Sequence, residues 1–158
     1  MQLAPTYTDP NLNGYDGPNR IIHSPFAAGS QFCRRGGKAV DLHHYFQSAT
    51  ANSSNLAGFA EVEQVGIAGG REPTSITDGM ELPVNFDLGK TAVFPTTGRA
   101  ATDADAGKDF DIHVDANGCQ FINMGASVNG VLRVSRLASA DGLHVSCEIP
   151  PDLRYGNR

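Results

Sequence analysis

Glycine or proline interrupts this chain about once every six positions, with 18 Gly and 9 Pro among 158 residues. Both penalise a helix interior, Gly by about 1 kcal/mol and Pro by about 3 kcal/mol relative to Ala. Helices of ordinary length cannot be threaded through such punctuation. Short strands joined by turns can, and the expected fold is all-β. The length suits one domain whose core removes about two-thirds of the unfolded chain's surface from water. No apolar run approaches the 18 or so residues of a membrane-spanning helix, so no membrane partner is expected.

Charge narrows the partners further. Only 18% of residues are charged, the formal net charge is −5 and the sequence pI is about 5.4. Phosphate recognition depends on a basic surface and the counterions it releases, so a nucleic-acid partner is not expected. Nine of the twelve basic residues are Arg, the cation favoured in ordered ion pairs and protein interfaces. The opening Met1-Gln2-Leu3-Ala4-Pro5-Thr6 has neither the basic nor the apolar segment of a secretory signal. Cytosolic synthesis and residence follow as the expectation. Cys33, Cys119 and Cys147 are odd in number and widely spaced, which predicts buried reduced thiols. The alternative pairs Cys119 with Cys147 across a sheet.

Residues 1–20 contain three Pro and two Gly with no apolar period, so they read as an extended N-terminal arm. A terminus of this composition orders only where it docks, on a neighbouring subunit or on its own domain. From Ile21 the pattern becomes that of a β domain, 21–150, followed by the C-terminal tail 151–158. Lys38 to Gln47 alternates, with Val40, Leu42, His44 and Phe46 on one face, and predicts one strand. Leu56 to Ile67 predicts another. Met80 to Leu88 places Leu82, Val84, Phe86 and Leu88 inward, with Pro83 implying an edge position, and Gly89-Lys90 predicts a type II′ hairpin into Thr91–Phe94. Residues 100–108 allow one helical turn. Asp109–Asp115 alternates with Phe110, Ile112 and Val114 inward, and Asn117-Gly118 predicts a hairpin into Cys119–Met124. A last hairpin joins Val131–Leu137 to Leu143–Ile149, with Leu143, Val145, Cys147 and Ile149 on the inward face and His144, Ser146 and Glu148 on the outward one. Seven to eight short strands at this spacing predict a small antiparallel β-barrel or β-sandwich.

Chemistry is sparse in the sequence. Asp103-Ala104-Asp105-Ala106-Gly107-Lys108-Asp109 looks superficially like a calcium loop, but Lys108 stands where the EF-hand needs Gly and Val114 where it needs the bidentate Glu. Asp111, His113 and Asp115 share one strand face and could ligate a metal only with help from a neighbouring strand. Any solvated face produces that alternation. The adjacent His43 and His44 point to opposite sides of a strand, and His44 reads as a core histidine. Sequence order alone assembles no nucleophile with a plausible base, and no phosphate-loop, Cys-x-x-Cys or His-Glu-x-x-His motif is present. The expectation is no enzyme, no metal and no cofactor.

Thr91-Ala92-Val93-Phe94-Pro95, Ala101 to Ile112 with its DADAGKDFDI turn, Asn117 to Asn123, and Gly130-Val131-Leu132-Arg133-Val134 together resemble the C-terminal half of tailed-bacteriophage capsid decoration, or cement, proteins. The resemblance covers about 60 residues, roughly 90–150. It implies a β-rich virion structural protein, made in the host cytoplasm, that stabilises the capsid from its outer surface. Its partners would be the major capsid protein and neighbouring copies of itself, as in a trimer. The arm and tail supply the contact residues expected on this reading: Leu3, Pro5, Tyr7, Tyr15, Arg20, Leu153, Arg154 and Tyr155. Two rivals stand beside it. One is a carbohydrate-binding β-sandwich for host-surface attachment, suggested by Tyr and Asp/Asn-rich loops and opposed by the absence of Trp. The other is a β-barrel enzyme using His113 with Asp111 or Asp115.

Overall fold

The computed structural model describes residues 20–42, 45–63, 76–87 and 89–151. They form ten strands: β1 Ile21–Phe26, β2 Ala39–Asp41, β3 Gln47–Ser48, β4 Leu56–Ala60, β5 Met80–Asn85, β6 Ala92–Thr97, β7 Asp109–Val114, β8 Gln120–Asn123, β9 Leu132–Leu137 and β10 His144–Glu148. Residues Asp103–Asp105 form a single 3-10 turn. The all-β expectation holds. The strands divide into a closed five-stranded barrel in the order β9-β10-β6-β8-β7 and an open sheet in the order β1-β5-β4-β2-β3.

Local turn chemistry builds the barrel's two hairpins. Between β7 and β8, Asp115 Oδ1 accepts the backbone N–H groups of Asn117 and Cys119, both at 2.9 Å. Gly118 then takes φ +80°, a conformation that costs other residues strain. Between β9 and β10 the chain turns at Gly142, also at positive φ. The barrel interior is filled by Phe94, Ile112, Ile122, Leu132, Val134, Val145 and Cys147, each no more than 1% exposed. One of its pairings is parallel, β6 with β8. Opposite faces of β4 serve different cores: Leu56 and Phe59 join the barrel cluster, while Ala57 and Ala60 join Phe26, Phe32, Val40, Val84 and Phe86.

Several sequence expectations fail for identifiable reasons. Lys38–Gln47 is not one strand: the chain folds on itself so that β2 pairs with β3, Val40 opposite Ser48. His43 and His44 lie outside the described residues. The strand expected over 56–67 ends at Ala60. The expected hairpin between β5 and Thr91–Phe94 does not form, because β5 belongs to the open sheet and β6 to the barrel. The Gly89-Lys90 connection carries the chain from one to the other. Nor is β5 an edge strand: it lies between β1 and β4. Pro83 is tolerated because its nitrogen faces the β4 side where that strand has already ended, its carbonyl accepting Glu61 N–H at 2.9 Å. Asp111 and Ser146, placed outward by alternation, are buried, and Leu143, placed inward, is half exposed.

The cysteines also differ from expectation. Cys33 and Cys119 form a disulfide with Cα atoms 5.1 Å apart, across 86 residues of sequence, and Cys147 is the free one, fully buried. The bond ties the segment leading into β2 to the start of β8. Wide spacing hid a proximity that only the joining of two sheets creates.

Candidate functional site

The junction between open sheet and barrel is the most elaborated part of the molecule. Gly37 N–H donates to the Gln120 carbonyl at 2.9 Å, bridging the two units through main chain. The buried Gln120 carboxamide adds a second bridge. Its Oε1 accepts Ala39 N–H at 2.7 Å, and its Nε2 donates to the carbonyls of Ala39 at 3.0 Å and Ala49 at 3.2 Å. A side-chain amide here does what a neighbouring strand's peptide would do. A Cβ on Gly37 would enter the Phe94 ring, and one on Gly36 would lie 2.6 Å from Gln120 N. Absence of side chains lets the two backbones approach.

Beside this junction lies a cleft of about 580 Å³ between the end of β4 and the start of β6. Four of its five charges stand in two pairs. Glu61 meets Lys90 at 3.4 Å and accepts Asn85 Nδ2–H at 3.0 Å, while Arg34 and Glu63 stand 3.8 Å apart at the rim. Lys38 reaches in from below and donates to the Cys33 and Gly36 carbonyls, and burial lowers its pKa below the usual lysine value. The lining mixes these charges with Phe59, Ala92 and the exposed Val93.

The residues that alternation offered to a metal are placed apart in function. The buried Asp111 carboxylate accepts three backbone N–H groups, from Val128 at 3.0 Å and from Asn129 and Gly130 at 2.7 Å, and so holds the loop that covers it. Asp115 orders the β7–β8 turn, and His113 lies outward beside Phe121, ring centres 6.0 Å apart. No group of three His, Cys, Asp or Glu side chains positioned for an ion occurs among the described residues. The DADAGKD turn is held by an ion pair. Arg99 donates both terminal nitrogens to the carboxylate of Asp105 at 2.8 Å, Thr102 N–H donates to it at 2.9 Å, and these bonds hold the Asp105 carboxyl well below the usual carboxylate range. Arg133 makes a second bidentate pair with Asp109, at 2.7 and 3.0 Å, tying β9 to β7. Two arginines of the Arg-rich set are therefore structural.

Of the expected contact residues, Arg20 is described. Its side chain is exposed, and its carbonyl accepts the Phe86 N–H at 2.8 Å, anchoring the point where the arm joins β1. Leu3, Pro5, Tyr7, Tyr15, Leu153, Arg154 and Tyr155 lie outside the described residues. Sequence reasoning passed over Gln120, although it stands in phase with Ile122 and Met124 on the buried face of β8. A polar residue in an inward register was the available signal. Comparison with protein-family models, with curated proteins and with solved structures gives no match.

Proposed function

We propose that the chain is a virion structural protein that sits on the outer surface of a phage capsid and bridges neighbouring major capsid proteins. The observation that carries this reading is the division of labour along the chain. Residues 90–150, which resemble capsid decoration proteins in sequence, are those that build the barrel, β6 to β10. The polar arm leads into the other unit, the open sheet, at Arg20, whose carbonyl is fixed to Phe86. A rigid body with a docking segment adds interface without a larger core, and many weak copies on a symmetric shell gain avidity. The disulfide suits an exterior position, where a particle released from the reducing cytosol meets oxidising medium. The test is capsid thermal stability: shells filled with the chain should dissociate several degrees above bare shells, and an unchanged dissociation temperature at full occupancy would contradict the stabilising role.

A further inference from the structure

Strand β1 stands at one end of the open sheet's strand order; β5 pairs with it on one side, and on the other Phe46 bridges it at its C-terminal end, Phe26. Successive residues of a strand turn their N–H and C=O groups to opposite edges. The carbonyls of Arg20 and Phe26 accept N–H groups from Phe86 and Gly79 on the β5 side, which makes the even-numbered residues the inner set. Ile21, His23 and Pro25 therefore turn outward. The Pro25 carbonyl accepts the Phe46 N–H at 2.9 Å, and proline has no N–H to satisfy. Two outward residues remain, Ile21 and His23, with no backbone partner on that edge among the described residues. The apolar side chains of Ile21 and Ile22 beside them are 44% and 52% exposed. An unpaired edge of this kind is a template for another strand.

We propose that this edge receives the N-terminal arm of a neighbouring copy, with Ala4–Thr6 running antiparallel to Ile21–His23. The proposal rests on the reading of residues 1–20 as a docking arm. Three features select that occupant. Nineteen residues precede Arg20, and extended they span about 60 Å, more than the roughly 35–40 Å diameter of a folded body this size. They reach past their own domain. The arm's charged side chains are Asp9 and Asp16, whereas Arg20 to Gly29 carries Arg20 and no carboxylate, so the two segments are complementary in charge. Proline sets the register. With Ala4 opposite His23 and Thr6 opposite Ile21, the hydrogen-bonding groups of Ala4 and Thr6 meet those of the β1 edge, and Pro5, lacking N–H, falls opposite Ile22 where none is needed. Leu3, Pro5 and Tyr7 then share the face of Ile22, with Tyr7 opposite Arg20.

The test mixes two full-length variants, Pro5→Cys and Ile22→Cys, under mild oxidation in concentrated solution and on capsids. The register brings these positions together as a non-hydrogen-bonded pair, and a non-reducing gel should show their heterodimer forming at least about tenfold faster than either homodimer. Adding His23→Pro to the Ile22→Cys chain removes an outward N–H while leaving the β1–β5 ladder intact, and should lower the heterodimer yield several-fold. Heterodimer formation no faster than homodimer formation, or indifferent to His23→Pro, overturns the pairing. Capsid binding of the unaltered chain is scored separately. Binding without the cross-link refutes this pairing alone, and the cross-link without capsid binding supports it and refutes the decoration reading.

Discussion

Gln120 carries more of the architecture than any other single polar side chain described. Its three hydrogen bonds to Ala39 and Ala49 are all buried, and truncation would leave the Ala39 N–H and the Ala49 carbonyl without these partners at the sheet junction, the Ala39 carbonyl keeping the Ala49 N–H. Gln120→Ala should cost about 2–4 kcal/mol, read as a lower urea midpoint. Gln120→Glu should not rescue it, because a carboxylate would face the Ala39 and Ala49 carbonyls. Asp105 gives a pH signature. Its carboxyl titrates below the unfolded value because Arg99 and Thr102 bond the charged form, so the folded state binds this proton less readily than the unfolded state. The stabilisation is complete above the ordinary Asp range near pH 4 and is lost as pH falls below it. Asp105→Asn should lower the melting temperature at pH 7 and flatten its decline below pH 4; an unchanged acid limb would contradict the assignment. At this scale the sequence was informative where a residue acts on its neighbours, as in the Asn117-Gly118 turn. It was silent where Asp111 or Gln120 bonds to residues 17 to 81 positions away.

At the scale of elements, period 2 located nearly every strand from Met80 onward: β5 alternates against the open sheet's core, and the strands after it alternate against the barrel core with hairpins closed by local turn residues. The first half was less legible. Strands β2 and β4 are buried on both faces, which removes the alternation, and β2 and β3 are too short to show a period. The Gly89-Lys90 junction had the composition of a hairpin but joins two sheets. The disulfide is the element-level consequence of that joining. Constraining 86 residues of unfolded chain, it is worth about 3–5 kcal/mol in the chain-entropy account. The double variant Cys33→Ser/Cys119→Ser should fold with a clearly lower denaturation midpoint, and an equal midpoint would contradict a stapled junction. Burial raises the Cys147 thiol well above its usual pKa. A thiol reagent should modify nothing in the native protein and one cysteine after unreduced unfolding, and rapid labelling of native protein would contradict the pairing shown.

At the scale of the whole molecule, a closed barrel and an open sheet share one core cluster, and Ile21 and His23 on the outer edge of β1 have no backbone partner among the described residues. Four of the five charges in the cleft at their junction stand in two pairs, while the β1 edge offers two residues with no backbone partner among the described residues. These features fit a part that is positioned among many copies of itself. The most direct measurement is co-sedimentation of the purified full-length chain with expanded capsids. The account predicts saturable binding at a fixed ratio to the major capsid protein, lost when residues 1–19 are removed from a chain that still shows the native melting transition. A full-length chain that remains in the supernatant at every capsid concentration would contradict it.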